Sequence, residues 1–97
     1  MLFLVTWEFT DNSEEGQART LSLFSKWQPG PAEFKGFYGF ADNSGGVAII
    51  EAASAADLAR TTAPWTPWLA FEVRPILPIE ESSAIGGEAM AWRAAQG

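Results

Sequence analysis

The sequence predicts an α+β fold of the ferredoxin-like βαββαβ type, in which a four-stranded antiparallel sheet carries both helices on one face. Segments of strand and helix character follow each other in the order β-α-β-β-α-β. The turn-rich stretch DNSGG, between the second and third strands, predicts a hairpin. With 97 residues the chain has room for one domain, so the four strands are expected to share a single sheet.

The first strand is predicted over Leu2 to Thr10, which is rich in β-branched and aromatic residues. Its alternation gives two faces that are both largely apolar. One face carries Phe3, Val5, Trp7 and Phe9, and the other carries Leu2, Leu4, Thr6 and Glu8. A strand with two apolar faces is typical of a sheet that is covered on both sides.

Two helices are predicted from capping signals and apolar periodicity. In the first, Asn12 followed by Glu15 resembles a capping box, and the sequence QPGP ends the helix at about Trp27. In the second, Ser54 stands three residues before Asp57 in a capping arrangement, and a following proline forces the end. Each predicted helix therefore begins with a side chain that can accept from its first free backbone N–H groups.

The remaining strands and the tail complete the predicted order. EFKGFYGFA and GVAIIEA form the second and third strands, and WLAFEVRPIL forms the fourth. Gly36 and Gly39 interrupt the second strand, which is typical of a bulge, an edge or a close approach to the backbone. We expect a domain over residues 1–79 and a tail over residues 80–97, whose one or two short helical pieces are broken at Gly86 and Gly87.

The composition excludes several classes of function. The chain has no cysteine and no histidine, which removes thiol nucleophiles, zinc–thiolate sites and the commonest general base. The net charge is -6 and the 6 basic residues are scattered singly, so neither nucleic acid nor a membrane surface is an expected partner. We expect no cofactor and no metal, because the spacing of Glu8, Glu51 and Glu72 matches no known metal-binding loop. The apolar N-terminus lacks the features of a secretion signal, so the expected location is the cytoplasm.

The second face of the predicted sheet is apolar and has no helix to cover it. On the fourth strand, alternation assigns one set of residues to the helix-packed core, namely Leu69, Phe71, Val73 and Pro75. It assigns another set to the opposite face, namely Trp68, Ala70, Glu72, Arg74 and Ile76. Aromatic residues make up 13% of the chain, which is more large apolar surface than one small domain readily buries. A second copy of the sheet is therefore the expected cover, giving a homodimer in the form of a dimeric α/β barrel.

Polar side chains on that uncovered face form the candidate site. The first and fourth strands are neighbours in a ferredoxin-like sheet, so Glu8, Glu72 and Arg74 are expected to converge among aromatic residues. A polar cluster in an apolar cavity is typical of a site for a small apolar ligand. The candidate ligand-binding residues are Thr6, Glu8, Tyr38, Trp68, Glu72 and Arg74. In the alternative interpretation, Glu72 and Arg74 form a cross-strand or inter-subunit ion pair without any chemistry.

The segment that leads into the fourth strand, APWTPW, contains two tryptophans beside two prolines. The prolines stiffen this approach, and the indoles of Trp65 and Trp68 can bury a large area while their N–H groups reach a partner. We prefer the interpretation that both indoles plug the end of an apolar space between two sheets. The alternative is a stacking platform for an aromatic ligand.

Four segments carry a resemblance to a known family. They are MLFLVTWEF, GFYGF, GVAIIE and APWTPWLAFEVRPIL, and together they extend over residues 1–77. The chain resembles a family of short bacterial domains of unknown function, whose members open with an aromatic strand and close with a tryptophan-led segment ending in Phe-Glu-Val and a proline. Such domains are similar to the dimeric α/β-barrel group, which implies that two ferredoxin-like sheets face each other.

This resemblance implies two kinds of function. The dimeric α/β-barrel group includes cofactor-independent monooxygenases, muconolactone-isomerase-like enzymes and polyketide cyclases, as well as members without known chemistry. The chain has Tyr38 where the family's pattern has a histidine, and Ala70 where it commonly has an acidic residue. We therefore expect a homodimeric small-molecule binding or interaction module, with a cofactor-independent enzyme for a hydrophobic ring substrate as the alternative.

Overall fold

Four strands and three α-helices make up the fold, which a computed structural model describes over residues 1–97. In chain order they are β1 (Leu2–Phe9), α1 (Glu14–Lys26), β2 (Glu33–Gly39), β3 (Gly45–Glu51), α2 (Ala55–Thr62), β4 (Leu69–Ile76) and α3 (Ile79–Ala95). A 3₁₀ turn at Ala63–Trp65 follows α2. The order β-α-β-β-α-β confirms the predicted ferredoxin-like fold, and α3 is a helix added to it.

The strands form one antiparallel sheet in the order β2-β3-β1-β4. Residues directly opposite each other on neighbouring strands point to the same face, so the register defines two faces. The helix face packs against α1 and α2 and includes Phe3, Val5, Ala48 and Ile50. The open face points away from both helices and includes Leu2, Leu4, Val47, Ile49 and Ile76.

The hydrophobic core lies between the helix face and the helices. Its buried residues are Phe3, Val5, Ala32, Ala48, Ile50, Ala52 and Leu58. The predicted alternation of β4 is confirmed, because Leu69, Phe71, Val73 and Pro75 lie opposite the core-facing residues of β1. Val73 is still 42% exposed, since β4 is an edge strand.

Helix α1 begins one residue later than the sequence predicts. Ser13 is the N-cap, and its Oγ accepts from the backbone N–H of Gly16 at 3.0 Å. The predicted cap at Asn12 is wrong because the side chain of Asp11 already accepts from the N–H of Ser13 at 2.9 Å, which turns the chain before the helix. Hydrogen bonds from the Ser13 side chain and from its backbone N–H lower the pKa of the Asp11 carboxyl.

The predicted start of α2 and the predicted hairpin are both confirmed. Ser54 caps α2, and its Oγ accepts from the backbone N–H of Asp57 at 3.1 Å. The loop between β2 and β3 turns at Asn43, whose φ of 62° lies in the left-handed region. Asp42 Oδ1 accepts from the hydroxyl of Ser44 at 2.7 Å and from its N–H at 3.1 Å, and these bonds lower the pKa of Asp42.

Helix α3 runs without interruption through Gly86 and Gly87, so the predicted break is wrong. Glycine weakens a helix by about 1 kcal/mol relative to alanine, but it keeps its backbone hydrogen bonds and does not stop the helix by itself. Every residue of α3 is exposed, and the molecule measures 60 × 28 × 20 Å because this helix projects from the sheet. None of the helices has both the length and the apolar composition needed to cross a membrane.

Candidate functional site

A cavity lined mainly by aromatic rings lies between the helix face of the sheet and the helices α1 and α2. We call it the aromatic cavity; its volume is about 180 Å³ and 13 of its 16 lining residues are hydrophobic. The lining consists of Val5, Trp7, Phe9, Thr20, Leu21, Phe24, Trp27, Phe34, Phe37, Ala48, Ile50, Thr61, Thr62, Trp65, Leu69 and Phe71. Eight of these residues are phenylalanine or tryptophan, which makes it a site for an apolar molecule.

A β-bulge in β2 directs two phenylalanines into the aromatic cavity. Phe34 lies opposite Ile50 and Phe37 lies opposite Ala48, with a shift in register between Phe34 and Gly36. Residues three apart would point to opposite faces of a regular strand, but the extra residue of the bulge brings both rings to the helix face. Their centroids are 4.9 Å apart, so they form one wall of the cavity.

The floor of the aromatic cavity depends on a close contact between β1 and β3. Trp7 lies opposite Gly46, and its indole covers this glycine, leaving no room for a Cβ. The indole meets Phe37 edge to face, with ring centroids 5.3 Å apart. Gly46 therefore fixes the height of the Trp7 ring above the sheet.

Helix α1 and the 3₁₀ turn after α2 supply the opposite wall. Trp65 is only 6% exposed and meets Trp27 edge to face at 5.3 Å. Phe24 lies 6.3 Å from Trp65 and 6.1 Å from Phe37, so it bridges the two walls. Leu21 is 69% exposed and Phe24 is 49% exposed, which shows that the cavity opens to solvent along α1.

The lining of the aromatic cavity contains no ionisable side chain. Its three polar residues are threonines, whose hydroxyls already donate to backbone carbonyls. Thr20 donates to the carbonyl of Gly16 at 2.9 Å, and Thr61 and Thr62 donate in the same way within α2, each at 3.4 Å. Their oxygens can still accept one hydrogen bond each. The cavity can therefore hold an apolar ring and orient a donor, but it supplies no acid, base or metal ligand.

Five of the six sequence-predicted site residues lie together on the open face. Tyr38, Val47, Thr6 and Glu72 form one continuous row across the four strands, since each lies opposite the next. Glu8 lies opposite Ala70 and Arg74 lies opposite Leu4, one row to either side. The five residues thus share the face opposite the aromatic cavity, but Glu8 and Arg74 lie two rows apart, on either side of the row that contains Glu72.

The sixth predicted site residue, Trp68, lies on the other side of the sheet. The guanidinium of Arg19, in α1, sits 5.6 Å from the centroid of the Trp68 ring. Trp68 precedes β4 in a turn, so the strand alternation that placed it beside Glu72 does not extend to it, and that placement is wrong. Trp65 also faces α1, so neither indole lies at the end of a space between two sheets.

The charged residues of the open face form no ion pair with one another. The ion pairs of the protomer are Met1–Glu51 at 2.8 Å, Lys35–Glu33 at 3.1 Å and Arg60–Asp57 at 2.8 Å. Glu72 and Arg74 are both exposed and belong to none of these pairs. The acidic side chains form no cluster of three that could hold a metal ion.

The residues predicted from the sequence do not include the aromatic cavity, although the sequence contains a signal for it. Trp7 and Phe9 occupy helix-facing positions of β1, Phe24 lies in the last turns of α1, and Trp27 is the C-cap residue of this helix. Large rings on both sides of one layer leave gaps that smaller side chains would fill. The bulge that brings Phe34 to the same wall is indicated only by the glycines of β2.

Comparison with known proteins yields a family but no activity. Residues 1–90 match a family described as "Domain of unknown function (DUF3303)". No curated protein matches the chain. The match covers the whole sheet, α1, α2 and most of α3, so the matched region contains every residue of the aromatic cavity.

Proposed function

Because the chain belongs to the DUF3303 family of domains of unknown function, we propose from its geometry that it is a binding module for a small, neutral, apolar ring compound. The observation that carries this proposal is the aromatic cavity, with its eight rings and no ionisable group. Aromatic rings packed edge to face hold their shape, so the cavity is open before a ligand arrives. A preformed apolar cavity of this kind is typical of small-molecule sites.

The volume of the cavity limits the size of the ligand. An engineered apolar cavity of about 150 Å³ is known to hold benzene, and the aromatic cavity measures about 180 Å³. This volume suits a single ring or a small fused pair of rings. The opening along Leu21 and Phe24 gives such a ligand a path to the interior.

The lining also selects against charge. A carboxylate or an ammonium group in the cavity would lose its hydration without finding a charged partner, at a cost of several kcal/mol. A ligand with one N–H or O–H group is better suited, because Thr61 is buried and its oxygen has a free acceptor position. We therefore expect neutral rings with at most one donor to bind, and their carboxylated analogues to be rejected.

Indole is a suitable probe, with indole-2-carboxylate as its charged counterpart. The five tryptophans of the chain give five indole N–H signals in ¹H–¹⁵N NMR spectra, and unlabelled probes add none. The signals of Trp7, Trp27 and Trp65 should shift on titration, while that of Trp92 should not, because Trp92 lies on α3. A uniform response of all signals, or none at saturating indole, would contradict the proposal.

A pair of variants tests whether binding occurs in the cavity. Trp27→Ala removes one wall, and we expect it to weaken indole binding at least tenfold, since a ring contact contributes about 0.5 to 1.5 kcal/mol and the lost apolar area adds to this. Trp92→Ala makes the same chemical change on the exposed helix α3 and should leave the affinity unchanged. Equal affinities of the two variants would show that the probe binds elsewhere.

We also propose that two copies pair through their open faces. The proposal rests on the uncovered aliphatic residues of this face, Leu2, Leu4, Val47, Ile49 and Ile76. Burying such a surface against its own copy is the commonest way for a protein to cover it. In this dimer the row from Tyr38 to Glu72 would lie at the interface, where Arg74 could find the ionic partner that it lacks within the protomer.

A further inference from the structure

Helix α3 is unlike the other elements because nothing in its own protomer stabilises it. All 17 of its residues are exposed, and two adjacent glycines lie at its centre. An isolated helix of this length is marginal in water even when it is rich in alanine, and most helical stability in proteins comes from packing. A helix with this sequence therefore needs a surface to pack against.

Helix α3 does not pack on its own sheet. Only Leu77 and Pro78 separate the last residue of β4 from the first residue of α3. The proline ring fixes φ at the N-cap, at -53°. Helix α3 continues away from β4 instead of folding back over the sheet, so its exposed side chains have no cover within the protomer.

The apolar side chains of α3 lie along two stripes. Ile79 and Met90 are eleven residues apart, which is close to three full turns, so they share one side of the helix. Ile85 and Trp92 are seven residues apart and share a second side. Their exposed fractions range from 49% for Ile85 to 71% for Ile79. Two apolar stripes favour a helix that is held in a groove over one that rests on a single flat surface.

We propose that α3 of each protomer packs reciprocally on a second copy of this chain, in a homodimer that rests on the open-face pairing proposed above. Four strands about 4.8 Å apart, each about eight residues long at about 3.3 Å per residue, span about 500 Å², so two paired faces bury about 1,000 Å². Stable protein interfaces bury about 1,200 to 2,000 Å², so the open faces alone fall short.

The reciprocal packing of α3 supplies the missing area. A helix of 17 residues is about 25 Å long and about 10 Å wide, so each docked α3 buries about 250 Å² of its own surface and as much of its partner's. Two such helices add about 1,000 Å² and bring the interface to about 2,000 Å². A second copy of the chain thus covers both the open face and the exposed helix α3.

The test compares the full-length protein with two stripe variants by sedimentation equilibrium. The variants are Ile85→Ser with Trp92→Ser, and Ile79→Ser with Met90→Ser. The matched control is Ala84→Ser with Ala91→Ser, which alters two residues seven apart on a side without large apolar residues. We expect a wild-type dimer, a dimer dissociation constant raised at least tenfold by each stripe variant, and a control that resembles the wild type.

Circular dichroism gives a second test, because it reports the loss of helix in α3 while the sheet stays folded. A defect in the core would instead unfold the sheet as well. Helix α3 supplies 17 helical residues, against 13 in α1 and 8 in α2. Dilution of the wild type into the monomer range should therefore remove close to half of the helical signal, while the sheet stays folded. A wild type that is monomeric at 100 µM would overturn both this inference and the open-face dimer. A wild-type dimer that the stripe variants form equally well would overturn this inference alone.

Discussion

Replacing Gly46 by alanine tests the packing on which the aromatic cavity depends. A Cβ at this position would collide with the indole of Trp7 and with the backbone carbonyl of Tyr38 on β2. Neither the Trp7 ring nor the Tyr38 carbonyl can move away easily, because Trp7 lies on a central strand of the sheet and Tyr38 lies on a strand paired with β3. Overpacking of this kind typically costs about 1 to 3 kcal/mol. The backbone clash places the expected cost for Gly46→Ala at about 2 to 3 kcal/mol.

The residue paired with Gly46 provides the control. Gly39 lies directly opposite Gly46 on β2, and a Cβ there would have no neighbour closer than 3.9 Å. Gly39→Ala should change stability by less than about 1 kcal/mol, with a favourable contribution from the reduced entropy of the unfolded chain.

Urea unfolding followed by tryptophan fluorescence measures the difference between the two variants. A loss of about 2 to 3 kcal/mol, at a slope of about 1 kcal/mol per molar urea for a chain of this size, lowers the midpoint by about 2 to 3 M. The affinity for indole should fall as well in Gly46→Ala, because the displaced Trp7 ring enters the cavity. A Gly46→Ala variant as stable as Gly39→Ala would refute the close packing of Trp7 on β3.

Two further outcomes follow from the charged groups. The pKa values of Asp11 and Asp42 are lower in the folded than in the unfolded protein. The stabilisation that these carboxylates give is therefore complete above their unfolded pKa of about 4. It is lost as the pH falls through their lower folded pKa values. Urea midpoints measured from pH 5 down to pH 2.5 should therefore fall more steeply for the wild type than for Asp42→Asn, and parallel curves would contradict the assignment. Glu72→Gln should leave the affinity for indole within about twofold of the wild type, since a neutral ring in the cavity does not reach the open face, whereas it should change the dimer dissociation constant. If Glu72→Gln lowered the affinity for indole, indole would bind on the open face and not in the aromatic cavity.

The fold could be predicted from the sequence because its signals are local and agree with each other. The cap at Ser54 and the hairpin turn at Asn43 each fix one connection, and the alternation of β4 fixes which side chains face the core. The tail could not be predicted in the same way. By helix propensity alone, Gly86 and Gly87 favour a break. The helix nevertheless continues through both glycines, with helical residues on either side of them.

The candidate site was less accessible to prediction, for a reason that lies in packing. Alternation gives the face of each strand residue, and it correctly grouped Thr6, Glu8, Glu72 and Arg74. It carries no information on how closely a helix approaches the sheet. In α1 only Gly16 is buried, and the space between this helix and the strands forms the aromatic cavity. The distance between layers depends on the shapes of many side chains together.

The position of the cavity bears on the choice between a binding module and an enzyme. The aromatic rings lie on the helix face, while Glu8, Glu72 and Arg74 lie on the open face. Side chains of one strand point to opposite sides of the sheet, so a ligand among the rings cannot reach a carboxylate on the other face. Acid–base chemistry by Glu8 or Glu72 would require a second space, enclosed between the open faces of two copies. Binding in the aromatic cavity needs only residues that one protomer already brings together, which is why the structure favours the binding function.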